Sequence, residues 1–84
     1  SPSITICYSL TQPAEVRINI FNLNGELIKE QRSYVSSMGE EICWSWYGKN
    51  MYNEELNNGI YILKVTAKAS GKEDSVTKLV GVLR

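Results

Sequence analysis

Histidine is absent from the 84 residues, cysteine occurs twice, and neither sign of charge prevails, with nine Lys and Arg against nine Asp and Glu. Each scarcity removes a class of function. Without imidazole, a Ser or Cys nucleophile lacks its usual activating base, and two thiols cannot complete the four-ligand tetrahedral site of structural zinc. The scattered, balanced charges build no basic face to attract a phosphate backbone by counterion release, so nucleic acid is not an expected partner. The longest apolar runs, residues 60–63 and 79–83 with Gly81 inside, fall far short of the ~20 residues of a bilayer-spanning helix. Ser1, Pro2 and Ser3 show neither an initiator Met nor the charged start and apolar stretch of a secretory leader, which reads as a module excised from a longer polypeptide.

Catalytic and cofactor motifs are equally scarce. The glycines stand singly, so no phosphate-cradling loop is spelled. The acidic pairs Glu40-Glu41, Glu54-Glu55 and Glu73-Asp74 are chain neighbours, and neighbours along a strand point to opposite faces rather than into one site. Residues 47–55 offer Asn and Glu oxygens of the kind calcium takes, but the alternating acidic spacing of a calcium loop is missing. The expectation is a domain that is not an enzyme and holds no metal or cofactor.

What the sequence has is period-two alternation. With 43% hydrophobic and 21% charged residues, the chain has enough apolar surface for one core and too little length for a second. Ile4, Ile6, Tyr8 and Leu10 alternate with Ser3, Thr5, Cys7 and Ser9, the signature of a strand with one face on a core. Val16, Ile18 and Ile20 repeat the pattern until Phe21 and Leu23 blur it, which predicts a bulge or an end covered on both sides. Asn24-Gly25 predicts a two-residue type I′ hairpin turn, returning through residues 26–32 as an edge strand guarded by Lys29, Glu30 and Arg32. A loop around Ser36, Ser37 and Gly39 leads to residues 40–46, where Ile42, Trp44 and Trp46 share a face and supply the heaviest part of the core. Residues 47–59 read as a long irregular connection. Tyr61, Leu63, Val65 and Ala67 then alternate in a strand whose start is apolar on both faces, which marks it as central. Residues 70–74 read as a hairpin loop before a last strand over residues 75–83. Six antiparallel strands in 84 residues predict an all-β, immunoglobulin-like or fibronectin-type sandwich of about six to seven strands, a single domain over residues 1–84.

Cys7 and Cys43 fall on the opposite parity from their apolar neighbours Ile6, Tyr8, Ile42 and Trp44, so both point away from the core. Two readings stay open for them: a disulfide if their strands are neighbours, or two unpaired thiols. Tyr34, Tyr47 and Tyr52 are the candidates for ligand contact, because solvent-facing aromatics on β-sandwiches stack on sugar rings.

The ordered set of phrases Ile4-Thr5-Ile6-Cys7-Tyr8-Ser9-Leu10, Ala14-Glu15-Val16-Arg17-Ile18-Asn19-Ile20-Phe21-Asn22-Leu23-Asn24-Gly25-Glu26-Leu27-Ile28, Trp46-Tyr47-Gly48-Lys49-Asn50, Leu56-Asn57-Asn58-Gly59-Ile60-Tyr61-Ile62-Leu63-Lys64-Val65 and Lys78-Leu79-Val80-Gly81-Val82-Leu83-Arg84 resembles one family. It is the Ig-like domain named after the flagellar hook-assembly scaffold protein FlgD, which recurs as a terminal module in secreted and surface bacterial proteins. The resemblance covers nearly the whole chain, with gaps around residues 33–38 and 68–74. Tyr47 and Asn50 depart from it where acidic residues are usual, as do Cys7 and Cys43, where cysteine is not. The resemblance implies a non-catalytic accessory module at the carboxyl end of an exported bacterial protein, extracellular or on the cell surface. Its role would be spacer, attachment or sorting element, with Arg84 as the natural terminus. Its partners would be other domains of the parent chain or a cell-surface protein. The alternative is a carbohydrate-binding module that takes polysaccharide on its exposed tyrosines.

Overall fold

The computed structural model describes residues 3–36 and 38–83; Ser37 of the expected loop, Ser1 and Pro2 of the opening, and Arg84 lie outside the described residues. Period-two alternation becomes six strands: β1 (Ile4–Tyr8), β2 (Ala14–Phe21), β3 (Leu27–Val35), β4 (Ile42–Trp46), β5 (Gly59–Ala69) and β6 (Lys72–Val82). They form two antiparallel sheets, one of β1 and β4, the other in the order β3-β2-β5-β6. The fold is the all-β sandwich that the alternation predicts. No helix long and apolar enough to cross a membrane occurs among the described residues.

The core lies between the sheets. Val16, Ile18 and Ile20 from β2 and Tyr61 and Leu63 from β5 face Trp46, with Val82 of β6 closing the end. Trp46 is 2% exposed and meets Tyr61 edge-on, ring centroids 6.1 Å apart, the arrangement that sets a ring's positive edge against its neighbour's negative face. Trp44 shares its face, is only half-buried, and packs at the margin with Ile4, Ile6 and Tyr8. The central position expected for β5 is confirmed, since it pairs with β2 on one side and β6 on the other.

Three turns differ from the sequence reading, each for a local reason. The 22–26 turn is a three-residue loop rather than a two-residue type I′ turn, and of its residues Gly25 alone takes positive φ, at 85°. The Asn22 side chain dictates this: its Oδ1 accepts the N–H groups of Asn24 at 3.0 Å and Glu26 at 2.9 Å, while its Nδ2 donates to Glu26 Oε1 at 3.1 Å. Just before it, the β2–β3 register shifts between Ile20, opposite Lys29, and Phe21, opposite Leu27, so a bulge does occur there, but its extra residue is Ile28 of β3 and β2 keeps its own alternation. The tight turn with two positive φ angles sits instead at Ser70 (52°) and Gly71 (76°), so β6 starts at Lys72, earlier than residue 75.

Residues 47–59, read as irregular, contain a second ordered loop. Lys49 and Glu55 form an isolated antiparallel bridge. Inside it Asn50 repeats the bonding of Asn22: Oδ1 accepts the N–H groups of Tyr52 and Glu54, both at 2.9 Å, and Nδ2 donates to Glu54 Oε1 at 3.0 Å. The ends of the strands also move, with β3 continuing past Arg32 to Val35 and β1 stopping at Tyr8 rather than Leu10.

Candidate functional site

The four-stranded sheet covers the core with one face and leaves the other open. Register places Leu27 opposite Phe21, Phe21 opposite Ile62, and Ile62 opposite Leu79, so one apolar row crosses all four strands on the open face. Ile60, two residues before Ile62 on the same face of β5, extends it, and Leu79 is 68% exposed. Single exposed apolar side chains are ordinary, but a contiguous strip of them marks a surface that meets something. Sequence reasoning missed this strip. Its signal was the apolar side chains at outward parity: Ile60 and Ile62 beside Tyr61, which mark β5 as central, and Leu79 beside Val80 on the last strand.

The tyrosines proposed for ligand contact are all exposed, Tyr34 at 72%, Tyr47 at 57% and Tyr52 at 76%. They do not share one platform. Tyr34 lies on the outward face of β3 opposite Glu15, while the loop of Tyr52 is tied to the start of β3 by the Met51 N–H, which donates to the Ile28 carbonyl at 3.0 Å. Ile28 and Tyr34 are about 20 Å apart along the strand at ~3.4 Å per residue. Tyr47 and Tyr52 belong to one loop, held from inside the core: the Trp46 Nε1–H donates to the Lys49 carbonyl at 2.8 Å, and the Tyr61 hydroxyl donates to the Asn57 carbonyl at 2.8 Å.

Cys7 and Cys43 are register partners on the exposed face of the small sheet, their Cα atoms 4.1 Å apart and their sulfurs joined. Next to them Thr5 and Ser45, also register partners, share a hydroxyl hydrogen bond of 3.0 Å. A two-stranded sheet is marginal by itself, so the bridge is a covalent rung where the ladder is weakest. In the chain-entropy model a closed loop of this length stabilises by roughly 3 to 4 kcal/mol. Glu41 brings a carboxylate oxygen within 4.8 Å of both sulfurs, yet neither sulfur is a thiolate ligand while they are bonded to each other.

Between β1 and β6 the sandwich is open along one side. A groove of 330 Å3 runs there, lined chiefly by Ile4, Ile6, Val65, Val76 and Val80, with Lys78 at its rim. Tyr8 lines the same groove, and burial pushes its phenol above its ordinary range, partly offset by a hydrogen bond with Ser33. Its proton stays in place at neutral pH.

Three comparisons bear on this architecture. A family model described as the FlgD Ig-like domain matches residues 2–71. No curated protein matches. Among solved structures, FlgD from Xanthomonas campestris superposes with a TM-score of 0.73 at 21% identity, over 94% of this chain and 57% of that one. FlgD from P. aeruginosa gives 0.69 at 15% identity, over 95% and 62%. Dimeric latent PorU from Porphyromonas gingivalis gives 0.73 at 17% identity, over 99% of this chain and 10% of that one. The chain thus spans less than two-thirds of the FlgD chains and a small part of PorU.

Proposed function

We infer that this chain, which belongs to the FlgD Ig-like domain family, serves as a non-catalytic accessory module of an exported bacterial protein, a spacer, attachment or sorting element. The observation that carries the reading is the apolar row of Leu27, Phe21, Ile62 and Leu79 on the open face of the larger sheet. Its partner is another domain of the same polypeptide, because the structural relatives hold this fold as one part of longer chains. A spacer needs stiffness and a docking face, and neither requires reactive groups. The covalent rung between Cys7 and Cys43 suits an oxidising compartment outside the cytoplasm.

The test uses the full polypeptide in its own cells. Fractionation should find it outside the cytoplasm, and Phe21→Ser with Leu79→Ser should make the segment adjoining this domain about tenfold more sensitive to protease, as expected when a docked face is released. A cytoplasmic protein with an unchanged cleavage pattern overturns the reading. A second reading draws on Tyr47 and Tyr52, both exposed on one anchored loop: sugar rings stacking on them would make this a carbohydrate-binding module, and a glycan array on the wild type and Tyr52→Ala separates the two.

A further inference from the structure

The β5–β6 hairpin fixes which way the main chain of β6 faces. Ser70 and Gly71 are the two central turn residues, so Ala69 and Lys72 close the turn as a pair that exchanges ladder hydrogen bonds, and the alternation runs on from there. Lys72, Asp74, Val76, Lys78 and Val80 turn their N–H and C=O groups towards β5. Glu73, Ser75, Thr77 and Leu79 turn theirs outward, to an edge that no described strand occupies. This edge strand is eleven residues long and exposed on both faces over most of its length, with Val76 at 58%. Such an edge is a template for another strand.

We propose that β6 of one copy pairs antiparallel with β6 of a second copy about a two-fold axis at Val76, joining two sheets into one. A two-fold normal to the sheet keeps each face on its own side, so a residue must sit on the axis, and electrostatics selects which. An axis at Asp74 or Lys78 sets that charge against itself. An axis at Ser75 sets Lys72 against Lys78. An axis at Thr77 leaves Asp74 opposite Val80 and Lys78 opposite Val76. The axis at Val76 places Asp74 opposite Lys78, and symmetry makes that pair twice. In the same register Ser75 opposes Thr77 and Glu73 opposes Leu79, so the outward main-chain groups meet each other. Asp74 and Lys78 then form the non-hydrogen-bonded pair, where facing side chains come closest. Both are exposed, and among the described residues neither has an ion-pair partner in its own chain. The opposite edge has no such match, since Glu30 of β3 is already engaged by Arg32 of the same strand at 3.1 Å. The inference is independent of what covers the sheet's open face.

Sedimentation equilibrium of the 84-residue chain tests it, run from about 10 μM to about 1 mM at low salt, where the charge pairs are least screened. The wild type should reach a monomer–dimer equilibrium in that range. Asp74→Lys and Lys78→Asp should each weaken it by about tenfold or more, because each replaces two attractive pairs with two repulsive ones. The double exchange Asp74→Lys with Lys78→Asp should restore wild-type association within about threefold. Thr77→Pro should abolish the dimer and leave the circular dichroism of the monomer intact, since the N–H it removes points away from β5. A wild type that stays monomeric to the top of the range overturns the proposal. So do a dimer indifferent to the single exchanges and a double exchange that fails to restore it.

Discussion

The 22–26 and 50–54 loops share one bonding plan and stand on different supports. Their sequences, Asn-Leu-Asn-Gly-Glu and Asn-Met-Tyr-Asn-Glu, agree only at the first and last residue. In both, the Asn Oδ1 gathers two main-chain N–H groups, its Nδ2 reaches the Glu carboxylate, and the main chain closes between the same two residues, Asn22 N–H to Glu26 O at 3.0 Å and Asn50 N–H to Glu54 O at 2.9 Å. The side chains between them are therefore free to vary. The first loop joins β2 and β3, whose long register holds it. The second has one bridge, Lys49 to Glu55, and takes its support from elsewhere: the Trp46 indole on the Lys49 carbonyl, the Met51 N–H on Ile28, and the Leu56 N–H on Gly48. A five-residue code can set a turn, but strands or core contacts must hold it.

The largest break in this symmetry is Trp46→Ala. It empties the centre of the core and frees the Lys49 carbonyl, at an expected cost of about 3 to 5 kcal/mol. Native-state hydrogen exchange should then show the amides of Tyr52 and Glu54 opening well before those of Asn24 and Glu26; equal loss in both loops would mean that the second does not depend on the indole.

Next come Asn22→Ala and Asn50→Ala, each of which removes two acceptor contacts and one donor contact for an expected loss of about 1 to 2 kcal/mol in urea unfolding. If either is silent, the shared Asn is not what sets its loop. The smallest effects lie at the left-handed position, Gly25 in the first loop at φ 85° and Asn53 in the second at 63°. Open space surrounds Gly25, so backbone preference alone decides there. Gly25→Ala should cost about 1 kcal/mol, whereas Gly25→Asn, which writes the second loop's choice into the first, should cost only a few tenths. Equal unfolding midpoints for the two variants would remove the backbone argument.

Much of the fold was legible because a period of two is a local signal. Val16, Ile18, Ile20, Tyr61 and Leu63 could be assigned to the core from alternation alone, as could Trp46 from the face it shares with Ile42 and Trp44, although that parity could not tell the buried Trp46 from the half-buried Trp44. The turns were less legible. Asn24-Gly25 is a strong local signal for a type I′ turn, but Asn22 bonded to Glu26 competes with it and wins, and that reciprocal spacing recurs at residues 50–54 inside a stretch read as irregular. Sheet register was not legible. The outward direction of Cys7 and Cys43 followed from parity, but their adjacency depends on β1 pairing with β4, a contact between distant parts of the chain. The apolar row across the open face has the same cause, since Phe21, Ile62 and Leu79 become neighbours only after two pairings are known.

The Cys7–Cys43 rung also changes how the molecule would answer a pull along its length. The two positions are 36 apart in sequence, so load entering before β1 passes through the sulfur link to β4 and skips the entire β2–β3 hairpin. That shelters roughly 120 Å of contour length from stretching, at ~3.4 Å per residue. For a part strung between other parts, tension could unravel the stretch beyond β4 while the enclosed loop stayed untouched, and slack would be limited by chemistry rather than by fold strength.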